Sequence, residues 1–178
     1  MQAAAPALAA AGGRALALAD WHVTLCFLGA VGEEQRAALC VRAAQIEAPS
    51  FELEFDRLEL WRGARILAAS AACVPPAGLE LAQALASAAR ELGLAPDLKA
   101  WRPHLTLVRG VTAQRLPAEL AGQPRSGPQL QAGLRLPLPL LLRATRFYLA
   151  ESQGLGAQAC GPSEGRRYAT LASWPLRP

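Results

Sequence analysis

Lysine, histidine and long hydrophobic runs are scarce in this sequence. Lys99 is the only lysine among 18 basic residues, and His22 and His104 are the only histidines in 178 residues. No apolar run reaches the roughly 20 residues that a helix needs to cross a bilayer, so a membrane-spanning protein is not predicted. Charged residues make up only 18% and hydrophobic residues 52%, which excludes a disordered chain. The sequence therefore predicts a soluble, cytoplasmic protein with a buried core.

The four cysteines lack the spacing of a metal site or of a disulfide framework. Cys26, Cys40, Cys73 and Cys160 form no C-x-x-C pair and stand at no zinc-ligand spacing from a histidine. We therefore expect free thiols in a reducing compartment. The net charge of +4 permits a polyanionic partner without demanding one.

The hydrophobic periodicity predicts two helices and several strands. Strands are expected at 21–29, 51–61, 65–73, 102–110, 143–152 and 166–176, helices at 33–48 and 79–92, and irregular chain at 111–133. Because the strands do not alternate regularly with helices, an α+β fold with antiparallel sheets is favoured over a doubly wound fold. We expect residues 1–178 to form one domain with two lobes.

Both histidines stand in the same local sequence, "HVTL" from His22 and "HLTL" from His104. Side chains i and i+2 point to the same face of a strand, so His22 is expected beside Thr24 and His104 beside Thr106. The sequence has five threonines, and chance would give both pairs in roughly one arrangement in a thousand. The two lobes are expected to bring these four side chains to one cleft.

Two imidazoles and two hydroxyls suit the opening of a cyclic phosphodiester. Water must attack phosphorus in line with the departing oxygen, so a base is needed on one side and an acid on the other. Histidine can take either role near neutral pH, and hydroxyl groups can hold the phosphate oxygens. A two-histidine metal site stays open as an alternative, with Cys26 as the one further ligand of matching strand parity.

The paired motifs resemble those of the 2H phosphoesterase superfamily. The stretch "HLTLVRG" is most similar to its LigT-like branch, the RNA 2′,3′-cyclic phosphodiesterases or 2′-5′ RNA ligases, and the likeness runs from about Trp21 to the C-terminus. This resemblance implies a bilobal α+β fold, with two antiparallel sheets facing a central cleft and helices packed outside. It implies hydrolysis of a terminal 2′,3′-cyclic phosphate on RNA to a 2′-phosphate. The arrangement of two imidazoles and two hydroxyls itself requires no metal or cofactor, and a monomer is expected.

The resemblance also implies a role for each site residue. His22 and His104 would supply the acid and the base, with His22 favoured as the acid, while Thr24 and Thr106 would hold phosphate oxygens. Arg109 would add a cationic contact. Strict alternation, however, places Arg109 on the opposite face from His104, so it is expected to reach the cleft only if the strand twists or ends early.

The N-terminal part departs from what the resemblance implies. A short strand and a helix are expected before the first motif, but the 21 residues that precede His22 show no clear pattern for a strand. Either a truncated start or a lobe that is one strand short is therefore predicted.

Two further functions stay open on the sequence alone. The protein could act on another cyclic phosphate or a 2′-5′ linkage, or it could bind RNA ends without turnover. The expected partners are RNA ends or small cyclic-phosphate nucleotides. Trp21 and Trp101 are candidates for stacking on a nucleobase, because they precede the two histidines by one and three residues.

Overall fold

A computed structural model describes residues 13–97, 99–111, 139–153 and 168–178. The chain divides into two compact units. The first unit comprises Met1–Val23, Glu54–Cys73 and Arg102–Leu141, and the second comprises Thr24–Leu53, Val74–Trp101 and Leu142–Pro178. Apart from Val111, the irregular segment predicted at 111–133 lies outside the described residues, as does Cys160.

The described residues form eight strands, two α-helices and one short 3-10 helix. In chain order these are β1 (Arg14–Ala15), the 3-10 helix (Leu18–Asp20), α1 (Glu33–Ala44), β2 (Phe51–Phe55), β3 (Arg57–Trp61), β4 (Ile66–Ser70), α2 (Pro76–Glu91), β5 (His104–Arg109), β6 (Leu140–Ala144), β7 (Arg146–Ser152) and β8 (Tyr168–Pro175). The antiparallel strand pairs are β1–β5, β3–β4, β4–β5 and β7–β8. The predicted α+β class with antiparallel sheets is confirmed.

The first unit is built on a four-stranded sheet in the order β1-β5-β4-β3. Strand β3 pairs with β4 from Arg57↔Ser70 to Trp61↔Ile66, so parts of the two strands predicted at 51–61 and 65–73 form a hairpin. The single strand predicted at 51–61 is wrong, since the chain leaves the strand conformation at Asp56. There the Asp56 carboxylate accepts a hydrogen bond from the Ala72 backbone N–H at 2.9 Å, an alternative to the sheet ladder.

Strand β5 carries one extra residue relative to its neighbour β4. Ala68 pairs with Thr106 and Leu67 pairs with Val108, so Leu107 has no partner in the β4–β5 ladder. Its carbonyl accepts a hydrogen bond from the Leu16 backbone N–H at 2.9 Å on the other side of β5. This is a β-bulge, and it changes which residues of β5 share a face beyond Leu107.

The second unit contains both α-helices and a ribbon of two strands. Helix α1 contacts α2 and the strand β8, which pairs with β7. Leu39, Ala89 and Leu94 form a buried cluster between the helices. Helix α2 begins at Pro76, earlier than predicted, because proline is tolerated where the backbone N–H has no helical partner. The short strands β2 and β6 pair with each other.

The strand predicted at 21–29 is wrong. None of these residues lies in a strand. Trp21 directly follows the 3-10 helix, and Gly29 has a φ of 71°. The segment is rich in β-forming residues, which favour an extended backbone, but a strand also requires a neighbour to complete its ladder. Strand parity therefore does not determine whether His22 and Thr24 point to the same side.

Candidate active site

His104 begins strand β5 in the first unit, and its ring is oriented by the backbone. The Nδ1 atom lies 2.8 Å from the carbonyl oxygen of Arg102, two residues earlier. A carbonyl oxygen can only accept a hydrogen bond, so Nδ1 carries the hydrogen. In the neutral ring the lone pair is therefore on Nε2, which becomes the basic nitrogen.

His22 also belongs to the first unit and is held in the same way. Its Nδ1 lies 2.7 Å from the carbonyl oxygen of Asp20, again two residues earlier. Asp20 closes the 3-10 helix and is buried at 5% exposure. Because the acceptor is again a carbonyl, Nδ1 of His22 is also the nitrogen that donates. The two histidines thus share one anchor although their backbones differ.

The pKa of His104 lies below the ordinary histidine value of 6.5. Burial of the ring is the largest cause, since desolvation disfavours the charged form. The hydrogen bond to the Arg102 carbonyl acts in the opposite direction, while the charges of His22, Arg102 and Arg109 lower the pKa further. The charge of His22 is thus one of the causes that lower the pKa of His104.

The bulge at Leu107 places Arg109 on the same face of the sheet as His104 and Thr106. The partners of His104, Thr106 and Arg109 on β4 are Ser70, Ala68 and Ile66, in that order. These three partners alternate along β4 and so share one face of a regular strand. We call this surface the His104 face. The prediction from strict alternation, which put Arg109 on the opposite face, is wrong because it counted Leu107 as a regular member of the ladder.

A second aromatic ring lies against His104. The Trp61 and His104 ring centroids are 4.4 Å apart, with the planes tilted by 46°. Trp61 pairs with Ile66 and therefore lies on the His104 face. Along that face of β4, the small residue Ala68 separates Ile66 from Ser70, the partner of His104. No local sequence pattern points to Trp61, because its contact with His104 follows from the register of β3, β4 and β5.

Glu59 holds Trp61 in this position. Its Oε2 accepts hydrogen bonds from Trp61 Nε1 at 2.8 Å and from the Arg102 guanidinium at 3.0 Å. The Arg102 Cζ atom also lies 4.9 Å from the centroid of the Trp61 ring, within cation–π range. Arg102 therefore contributes its carbonyl to His104 and its side chain to the neighbours of that ring.

Thr24 is the first residue of the second unit and is exposed. Its carbonyl oxygen accepts a hydrogen bond from Trp101 Nε1 at 2.9 Å. The Trp101 ring packs edge-on against Phe51, with centroids 6.4 Å apart, and two of its carbons lie 2.8 Å from the position that a Cβ at Gly78 would take. Trp101 thus secures the backbone of the first motif.

The described residues contain no group of three or more His, Cys, Asp and Glu side chains that could hold a metal ion. Cys26, Cys40 and Cys73 are free thiols, as predicted, and burial raises the pKa of Cys26. Within the described ranges no helix is long and apolar enough to cross a membrane.

Known proteins are similar to this chain in sequence and in fold. Residues 1–67 match the family model described as LigT like Phosphoesterase. A segment of 97 residues, 54% of the chain, is 34% identical to the RNA 2′,3′-cyclic phosphodiesterase of Escherichia coli (strain K12) and spans 55% of that relative, about half of its length. The crystal structure of E. coli LigT complexed with 3′-AMP is 28% identical at a TM-score of 0.69, covering 92% of this chain and 81% of that one. The predicted resemblance to LigT-like phosphoesterases is confirmed.

The LigT-like fold extends over nearly the whole chain. A crystal structure of a phosphoesterase matches at a TM-score of 0.71 and 25% identity, covering 98% of this chain and 93% of the other. The sequence match to the E. coli relative is shorter than this structural match. The LigT-like architecture is therefore retained beyond the segment in which the sequence similarity is detectable.

Proposed function

We propose that the protein hydrolyses the 2′,3′-cyclic phosphate at the end of an RNA strand and leaves a 2′-phosphate. The observation that carries this proposal is the pair of imidazoles in the first unit. Both are anchored through Nδ1 on the carbonyl two residues earlier, and the charge of one affects the titration of the other. The E. coli relative carries the name of this activity.

His104 is the general base in this proposal. Its lowered pKa favours the neutral ring at pH 7, so Nε2 can accept a proton from water. The water oxygen then attacks phosphorus as the bond from phosphorus to the 3′-oxygen breaks. His22, in its protonated form, donates a proton to the departing 3′-oxygen, so the proton taken at one imidazole is balanced by the proton lost at the other.

The remaining site residues stabilise the phosphate in this proposal. Thr24 and Thr106 donate hydrogen bonds to non-bridging oxygens, whose charge must be held in the transition state. Arg109 adds a positive charge from the His104 face. Glu59 and Trp61 hold the His104 ring in place.

A second candidate activity is hydrolysis of a mononucleotide cyclic phosphate. It is supported by the likeness to E. coli LigT in its complex with 3′-AMP, which is a mononucleotide. Both candidates use the same residues and the same bond changes, and they differ only in what is attached to the 5′ side of the reacting nucleotide.

The experiment is a product analysis on an oligonucleotide that ends in a 2′,3′-cyclic phosphate, in buffer with EDTA. We expect a 2′-phosphate end, and the double variant His22→Ala/His104→Ala, purified in the same way, controls for contaminating nucleases. A 3′-phosphate product, a requirement for added metal, or tight binding without turnover would each contradict the proposal. The last outcome would instead identify an RNA-end binding module.

A further inference from the structure

Two arginines face each other across strands β1 and β5. Arg14 is the direct partner of Arg109 in the antiparallel register, and directly paired residues point to the same face of a sheet. Because Arg109 lies on the His104 face, Arg14 does as well. The exposed edge strand thus adds a second guanidinium to the surface that carries His104 and Thr106.

This pair of positive charges has no carboxylate partner within the described parts of the chain. Neither arginine takes part in a salt bridge there, and the buried Nε of Arg109 makes no hydrogen bond among the described residues. Like charges placed directly opposite each other destabilise a sheet. Such a pair is therefore best explained by an anion that it binds, since guanidinium groups match phosphate in geometry and charge.

The positive groups also follow an order along the sheet. His104 is half-buried, Arg109 lies five residues further along β5 and is half-buried, and Arg14 on the outer strand is exposed. A cyclic mononucleotide offers only the reacting phosphate, whereas an RNA strand carries one further anionic phosphate for each preceding nucleotide. Arg14, at the outer end of this row, is placed to meet such a second phosphate.

We propose that Arg14 binds the phosphodiester that joins the terminal nucleotide to the one before it, while Arg109 beside it faces the reacting phosphate. The preferred substrate is then an RNA strand of two or more nucleotides, with its body leaving the site over the edge strand β1. This inference rests on the proposed function, because it takes the reacting phosphate to lie at the histidines.

The test compares two substrates that differ by one phosphodiester. One is adenosine 2′,3′-cyclic phosphate, and the other is a dinucleotide that ends in the same cyclic phosphate. For Arg14→Gln we expect kcat/KM to fall about tenfold on the dinucleotide and to stay within about twofold on the mononucleotide, since one charge-assisted contact is lost. Arg14→Lys should recover part of the loss, because it restores the charge without the fork of donors.

Arg36→Gln is the matched control. It removes one positive charge from the exposed surface of α1 in the second unit, where Arg36 lies 3.6 Å from Glu33. The two substrates should respond alike to this change. An equal fall on both substrates in Arg14→Gln, or no fall on either, would overturn the inference and leave Arg14 as an ordinary edge-strand charge.

The outcome can be separated from failure of the proposed function. If the wild-type protein turns over neither substrate, the proposed activity is wrong, and the subsite is tested by calorimetric binding of the two products that end in a 2′-phosphate. Tighter binding of the dinucleotide product, lost in Arg14→Gln, supports the subsite. Equal binding of both products by the wild type contradicts it.

Discussion

The two H-x-T motifs, His22 to Thr24 and His104 to Thr106, differ in backbone conformation and in their neighbours but share the position of the imidazole proton. The second motif lies on β5, with hydrogen-bonded neighbours on both sides. The first lies outside any strand and is secured by the 3-10 helix before it and by Trp101 on the Thr24 carbonyl. In both, Nδ1 donates to the carbonyl of residue i−2. The shared pattern therefore specifies how the ring is anchored, and it does not specify a strand.

The largest expected effect comes from removing either imidazole. We expect His22→Ala and His104→Ala each to lower kcat on the order of 10²–10⁴-fold, because each removes one proton-transfer group. Single-turnover kinetics on a cyclic-phosphate dinucleotide would measure this, with thermal unfolding as the check on folding. A variant that keeps more than about a tenth of the activity would show that equal anchoring does not mean equal roles.

A change at Gly78 should disturb the first motif alone. A Cβ there would lie 2.8 Å from two carbons of the Trp101 ring, so Gly78→Ala should lower the free energy of unfolding by about 1–3 kcal/mol through overpacking. We also expect kcat/KM to fall, since a displaced Trp101 releases the Thr24 carbonyl. Urea unfolding and steady-state kinetics measure the two effects.

Gly63→Ala is the control for this substitution, because a Cβ at Gly63 meets no atom within 4 Å. It should leave both stability and kcat/KM close to the wild type. If Gly78→Ala lowers stability but leaves kcat/KM intact, Trp101 is not needed to hold the first motif.

The acidic limb of the pH profile should report the second motif. Burial and nearby positive charges lower the pKa of His104, so a base at this position loses activity only below the ordinary histidine value near 6.5. Arg109→Gln removes one of those charges and should raise the pKa of His104, moving the acidic limb to higher pH. This substitution should change the ratio of activity at acidic pH to activity at pH 8 by less than roughly tenfold. Burial of the ring, which the substitution leaves in place, is the larger cause of the lowered pKa.

Titration of the His104 ring by NMR gives the same quantity without turnover. An upward shift in Arg109→Gln is expected by both measurements. A downward shift, or an acidic limb that follows His22 instead, would reverse the assignment of base and acid.

The smallest effect should come from Glu59. Glu59→Gln keeps an oxygen for Trp61 Nε1 but loses the charge that faces the exposed Arg102, an interaction worth at most about 1 kcal/mol. We expect kcat to change by no more than about fivefold. The pH dependence of Trp61 fluorescence, taken as the difference from Trp61→Phe, should follow the protonation of His104 at 4.4 Å. Fluorescence that does not change through this titration would show that the two rings are not in contact in solution.

Local patterns were sufficient for the class of the fold but not for the geometry of the site. Both helices and the β3–β4 hairpin follow from periodicity and turn residues, which act within a few positions. The strand at 21–29 was wrong because pairing depends on a distant neighbour. The match of two H-x-T motifs selected His22 and His104, whereas Trp61 could not be found, because its contact with His104 depends on the register across β4.

The extra residue at Leu107 can be recognised by counting. In an uninterrupted strand, residues that serve the same surface are separated by even numbers of positions, as His104 and Thr106 are. Thr106 and Arg109 are separated by three, and this odd interval is the trace of an insertion that lets a guanidinium face the same side as the hydroxyl. Deleting Leu107 would turn Arg109 toward the hydrophobic interior without altering any polar side chain, so the length of this segment matters as much as its composition.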